Sequence, residues 1–229
     1  MQPIRFIHAA DIHLGSPLKS LGSVSGKLQR KLQQATLEAF RRIVEAALRH
    51  RVDFVLLAGD VYDLESRSIH INRFLTEQLQ RLNDEGIDAY IIAGNHDPMD
   101  PEDPELLTLP ERVHIFGSEE ISTAEVHRDG EIIARIIGQS YRGQSDSRSM
   151  ATYYTAEDSS VWNIGLLHTA LDPNNPKYVP VGLDKLLEKS DIHYWALGHI
   201  HQQRLIREDA PVIAYPGIPQ GRDVGETGL

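Results

Sequence analysis

Five short apolar runs in this chain stop abruptly at polar residues, and that pattern constrains the fold more than any other feature. The runs around Ile7, Val55, Ile91, Ile164 and Ala196 lead into Asp11-Ile12-His13, Gly59-Asp60-Val61-Tyr62-Asp63, Gly94-Asn95-His96-Asp97, His168, and Gly198-His199-Ile200-His201. Apolar runs this short, closed by glycine or a polar cluster, read as buried strands. The ends of buried strands are where α/β folds place their functional loops.

Between these runs the pattern changes period. Residues 4–9, 53–58 and 89–93 read as strands, while 27–51 and 69–85 read as helices. In the first helix Leu28, Leu32, Leu37, Phe40, Ile43, Val44, Ala47 and Leu48 fit a period near 3.6. Strands alternating with helices predict an α/β arrangement. The second half reads differently. Short strands are expected at 113–116, 125–128, 131–137, 161–167, 194–197, 203–207 and 212–215, with a helix at 183–190. Asp129-Gly130 marks a hairpin. Residues 139–158 are polar and aperiodic and read as a surface loop. The expected fold is an α/β two-sheet sandwich, parallel in its first half and more mixed in its second.

The chain has 229 residues, 41% of them apolar, which suits one sizeable core. No repeat divides it, so a single domain over 1–229 is expected. Cysteine is absent from the sequence. Disulfides and thiolate metal sites are therefore excluded, and a reducing cytoplasm is the natural setting. No stretch approaches the ~20 apolar residues of a membrane span, so no membrane association is expected. The formal charge is −10, unlike that of a passive nucleic-acid binder. An enzyme acting on phosphates remains compatible with it if bound cations supply positive charge locally.

The strand-end residues are that kind of cation-binding set. Asp11, His13, Asp60, Asn95, His168, His199 and His201 offer carboxylate, imidazole and amide donors, a mixture suited to Mn²⁺, Fe²⁺ or Zn²⁺. In extended backbone, residues two apart point the same way. Asp11/His13 and His199/His201 are therefore each expected to aim at one place. The glycines before Asp60, Asn95 and His199 allow close backbone approach. Singly, each element has a plain explanation: a lone strand-end histidine is usually a hydrogen-bonded structural residue, Asn95 suits a turn, and Asp60 suits a helix cap. Together, in order, they point to two divalent metal ions, with Mn preferred.

The series Asp-x-His, Gly-Asp-x-x-Asp, Gly-Asn-His-Asp, a later His, and Gly-His-x-His resembles the calcineurin-like metallophosphoesterase superfamily. Ile7–Gly15, Leu57–Asp63, Tyr215-Pro216-Gly217 and Gln220-Gly221-Arg222 resemble its DNA repair exonuclease branch, of SbcD and YhaO type. The resemblance implies Asp11, His13 and His201 on one metal, Asn95, His168 and His199 on the other, and Asp60 on both. It implies that His96 is the catalytic histidine beside the scissile phosphate, with Asp97 orienting it. It further implies a Mn-dependent DNA exonuclease acting in repair, with a phosphatase or phosphodiesterase on a small molecule or phosphoprotein as the alternative. DNA, a coiled-coil ATPase of the structural-maintenance type and a homodimeric state are the partners it suggests. Relatives continue past the Tyr-Pro-Gly segment, so 1–229 is expected to be the catalytic, N-terminal part of a longer protein.

Other residues carry weaker expectations. Asp63 reads as a loop residue that orients a neighbour, and His8 as a buried strand histidine. His50, His70, His114, His127 and His193 read as structural or exposed. Arg41, Arg42, Arg49 and Arg51 read as a solvated helix face, and Arg142, Arg148 and Arg222 as phosphate contacts.

Overall fold

The computed structural model describes residues 1–16, 26–99, 109–156, 158–223, 225 and 226, with the side chains of 26–33 left aside. Leu28, Leu32 and the last residues, 227–229, thus lie outside what is described. A first sheet holds β1 (Phe6–Ala9), β2 (Phe54–Ala58), β3 (Asp88–Ile92) and β4 (Val113–Ile115), in that order and all parallel. Its crossovers are α1 (Gly26–His50) and α2 (Ile69–Asp84). The second sheet contains β5 (Ser122–Arg128), β6 (Glu131–Gly138), β7 (Trp162–His168), β8 (Tyr194–Gly198), β9 (Arg204–Arg207) and β10 (Val212–Tyr215), ordered β5-β6-β7-β8-β10-β9. Its centre is parallel and its two edges pair antiparallel. The expected two-sheet α/β sandwich is thus the fold.

The alternation along β2 explains its unbroken apolar run. Val55 and Leu57 face α1 and α2, while Phe54, Leu56 and Ala58 face the second sheet. Both faces are dry, so every position is apolar. β3 repeats this, with Ala89 and Ile91 on one side and Tyr90 and Ile92 on the other. In β8, Ala196 faces the first sheet, whereas Trp195 and Leu197 enter a third core on the outer face. α3 (Leu183–Leu187) covers that face, and Trp195 donates its indole N–H to the Leu186 carbonyl.

One expectation fails. Residues 139–158 are not a surface loop throughout. Tyr141, Met150, Ala151 and Tyr154 are buried in the third core, Met150–Tyr153 forms a 3-10 turn, and the Tyr154 hydroxyl donates to the Leu166 carbonyl at 2.8 Å. Polar residues between these anchors mask their burial, because the segment winds irregularly and shows no period. Among the described residues no helix is long and apolar enough to cross a membrane.

A candidate dinuclear metal centre at the strand ends

The carboxyl ends of β1, β2, β3, β7 and β8 lie together, and the loops leaving them are tied by backbone bonds. Asp11 N donates to Gly59 O at 3.0 Å, His13 N to Asp60 O at 3.0 Å, and Leu14 N to Val61 O at 2.9 Å. Two glycines make the approach close enough. A Cβ on Gly198 would lie 1.9 Å from the Ala58 carbonyl oxygen, and one on Gly94 would lie 2.3 Å from Asp60 Oδ1. No side chain fits at either position.

The seven expected donors converge in two clusters. Asp11, His13 and His201 bring ligand atoms within 4.8 Å of one another. Asn95 Oδ1 stands 3.2 Å from His168 Nε2 and 3.1 Å from His199 Nδ1. Asp60 lies between them, with Oδ2 3.8 Å from His13 Nε2 and 3.4 Å from His168 Nε2. The Asp11/His13 spacing works for a different reason from the one expected. Asp11 (φ 53°), His13 (φ 47°), Asp60 (φ 53°) and His199 (φ 97°) all have positive φ, so these ligands project from left-handed backbone rather than from extended strand. His199 and His201 diverge, one to each cluster.

The hydrogen bonds fix which nitrogens can bind a cation. His13 Nδ1 meets Asp63 Oδ1 at 2.7 Å, His201 Nδ1 meets Glu226 Oε1 at 2.5 Å, and His168 Nδ1 meets the Ala58 carbonyl at 2.8 Å. Each of these partners only accepts, so each Nδ1 carries a proton, and each Nε2 is the nitrogen left to face a cation. Yet the Nε2 atoms of His13 and His201 face each other at 3.4 Å, and His168 Nε2 faces the Asn95 oxygen. Such contacts need either a proton or a metal ion between the two atoms. Donors bound to one tetrahedral ion at ~2.0–2.1 Å stand roughly 3.4 Å apart, as these do. The donor set therefore fits divalent metal ions.

Electrostatics agree. Burial pushes the Asp11 carboxyl up to about 6, against the pull of His168. Burial alone would lower His168, but the Asp60 carboxylate outweighs it and lifts the imidazole to about 9. Burial and then the His168 charge push His199 down to about 3. Buried carboxylates among imidazoles call for a cation to balance them.

His96 stands at the edge of the site with 38% of its side chain exposed, and its ring centroid is 5.0 Å from that of His13. Asp97 does not orient it. The Asp97 carboxylate accepts the backbone N–H groups of Gly94 (2.7 Å), Val61 (2.7 Å) and Asp60 (3.0 Å), which ties the β3 loop to the β2 loop. Asp63 does the orienting, with Oδ1 3.1 Å from His96 Nδ1. This hydrogen bond raises the His96 pKa above the usual range. The buried Asp97 carboxylate is engaged by backbone N–H groups, whereas Asp63 comes to the His96 ring from the adjoining loop.

Arg222 is not a surface phosphate contact. Its side chain is 5% exposed and donates to Asp63 Oδ2 at 3.0 Å and Ser16 Oγ at 3.1 Å. Arg148 is occupied by Asp146 and the carbonyls of Ser118 and Ser140, and Arg142 by Glu119. His8 bonds Tyr194 Oη and the Leu197 carbonyl, each at 3.1 Å, and is structural. Glu226 was not singled out by the sequence, where a lone acid past the last motif gives no signal.

A model of calcineurin-like phosphoesterases matches residues 4–203. The chain is 37% identical over 227 residues to the metallophosphoesterase YhaO of Bacillus subtilis (strain 168), covering 98% of this chain and 55% of that protein. It is 28% identical over 222 residues to the DNA double-strand break repair protein Mre11 of Methanocaldococcus jannaschii, covering 93% of this chain and 55% of that one. The chain thus spans about half the length of these curated relatives. Among solved structures, a dimetal phosphatase from Danio rerio superposes with a TM-score of 0.54 at 12% identity, covering 94% of this chain and 88% of that one, which shows a shared fold.

Proposed function

Since the chain belongs to the calcineurin-like phosphoesterase family, and hence to the phosphoester hydrolases, we propose that it is a two-metal phosphodiesterase that degrades DNA from an end, with Mn²⁺ as its ion. The position of Asp60 between the two donor clusters carries the two-metal reading. Asp11, His13 and His201 would hold one ion, Asn95, His168 and His199 the other, and Asp60 both. When bound, the two ions supply Lewis acidity to the phosphate and a nucleophile at neutral pH.

The chain's own residues do the rest. Asp97 holds the loops of Asp60 and Gly94 together through their backbone N–H groups. His96 N donates to Asp60 Oδ1 at 2.8 Å, which steadies the shared carboxylate. The exposed His96 imidazole, whose pKa the Asp63 hydrogen bond raises, offers charge to the phosphate or a proton to the leaving oxygen.

DNA as substrate is supported by relatives that carry the name DNA double-strand break repair protein Mre11, aligned along 93% of this chain. With a formal charge of −10, attraction to DNA at long range is weak, so grip would rest on the metals. We place 1–229 as the catalytic part of a longer repair protein working in the cytoplasm, with a coiled-coil ATPase of the structural-maintenance type as partner and a second copy of itself in a homodimer. The test compares rates per enzyme, with Mn²⁺, on linear duplex, closed circular duplex and a phosphate monoester. Linear duplex should be shortened and closed circles spared. Strong monoesterase activity with no DNA cleavage by the full-length protein overturns the DNA reading and favours the phosphatase one.

A further inference from the structure

The two donor clusters are supported in different ways. His168 donates its Nδ1 proton to the backbone of β2, through the Ala58 carbonyl at 2.8 Å. Its orientation is therefore built into the sheet. His13 and His201 are held instead by side chains, and those side chains lead to one segment, 217–226 (described except for residue 224).

From that segment Glu226 Oε1 accepts from His201 Nδ1 at 2.5 Å, while its Oε2 accepts the Arg222 backbone N–H at 2.7 Å. The buried Arg222 guanidinium donates to Asp63 Oδ2 at 3.0 Å, and Asp63 Oδ1 holds His13 Nδ1 at 2.7 Å. The segment is anchored beside the same loop, since Ile218 N donates to the His201 carbonyl at 2.8 Å. Gly217 makes the turn at φ +79°, where a Cβ would lie 2.7 Å from Gln203 N. Among the described contacts, none runs from Arg222 or Glu226 to Asn95, His168 or His199.

We propose that Arg222 and Glu226 are positioning residues that assemble the Asp11/His13/His201 half of the metal centre, while the Asn95/His168/His199 half forms without them. This rests on the two-metal reading above. An imidazole whose outer nitrogen is held by a carboxylate is fixed in tautomer and direction, and losing such a partner commonly weakens metal binding by about 10–100-fold. Glu226 acts directly on His201. Arg222 acts through Asp63 on His13. Asp60 serves both half-sites, but changes at Arg222 or Glu226 should alter only the Asp11/His13/His201 one.

Free Mn²⁺ counted by electron paramagnetic resonance during titration, with elemental analysis at saturation, reads this without any turnover. The parent should bind two ions. Glu226→Gln, a nearly isosteric change at a partly exposed side chain, should leave one ion at parental affinity and weaken the other about 10–100-fold. Added to His201→Ala, it should weaken that site no further, because its effect passes through His201. Added to His168→Ala, it should still weaken the remaining site. Arg222→Lys, which keeps the buried charge but shortens the reach of the nitrogen that meets both Asp63 and Ser16, should weaken the same single site. Two ions at parental affinity in Glu226→Gln, or an equal loss at both sites, overturns the inference while leaving the two-metal reading intact. A parent that binds only one ion overturns both.

Discussion

At Asp60 one carboxylate faces both donor clusters, so removing it must act twice. Asp60→Ala should lose both ions, while His13→Ala should weaken mainly one; elemental analysis showing a single ion per parental chain at saturating Mn²⁺ contradicts this. His96 separates binding from chemistry. Its Nδ1 meets Asp63 rather than any of the seven donors, and its ring stands partly open to solvent. His96→Ala should keep both ions and lose roughly 10²–10⁴ in turnover. Its pKa is raised by Asp63, so the imidazolium persists above the ordinary pH 6.5 and activity falls as pH rises through the raised value. Asp63→Asn removes the cause, and at saturating Mn²⁺ the alkaline limb should move to lower pH. An unmoved limb would mean that the titrating group is not His96.

The elements follow from local chemistry in some places and from distant packing in others. α2 begins where Ser68 caps it, its hydroxyl accepting from Ile71 N at 3.3 Å. Ser68→Ala should cost about 1 kcal/mol, read as a lowered denaturant midpoint with an unchanged slope. β2 and β3 were legible in the sequence because two dry faces demand unbroken apolar runs. β5 was legible only from Glu125, although it starts at Ser122. As an edge strand with one solvated face it alternates Thr123 and Glu125 outward, and its start has too little apolar content to register. His168 was expected just beyond its strand and proves to be the last residue of β7. The convergence of Asp11, His13, Asp60, Asn95, His168, His199 and His201 was legible because each lies at or just past the end of an apolar run. Their supporting shell was legible only in part: Asp63 read as orienting a neighbour, but not that it reaches His96 from another loop, nor that Glu226 meets His201 25 residues away and Arg222 meets Asp63 159 residues away. Periodicity and motif spacing report on neighbours in sequence, and these are neighbours only in space.

At the scale of the molecule, His8 joins the two sheets. It sits on β1 and bonds Tyr194 Oη and the Leu197 carbonyl of β8. Burial drives its pKa down to about 4, so the folded protein keeps it neutral while the unfolded chain protonates it near 6.5. Stability from this group is complete above pH 6.5 and declines as pH falls toward 4. His8→Leu should be less stable at pH 7 and show a flatter loss between pH 6.5 and 4, measured by urea unfolding; an unchanged slope would rule His8 out as a source of acid sensitivity. Cleavage of DNA should fade steeply with salt, as phosphate contacts release counterions.

The buried acid at the end of β1 has a further consequence, for how such a chain can evolve. Asp11 is fully buried, has φ 53°, and has its carboxyl pushed up to about 6. Asparagine tolerates the same backbone and can still accept from His199 N, but carries no charge. In chelator at pH 8, Asp11→Asn should therefore melt at a higher temperature than the parent. The advantage should shrink as pH falls through about 6 toward 3.8, because the parental carboxyl then takes up its proton. Catalytic competence and thermal robustness thus pull in opposite directions at this position, and drift in a lineage freed from the reaction should favour the amide.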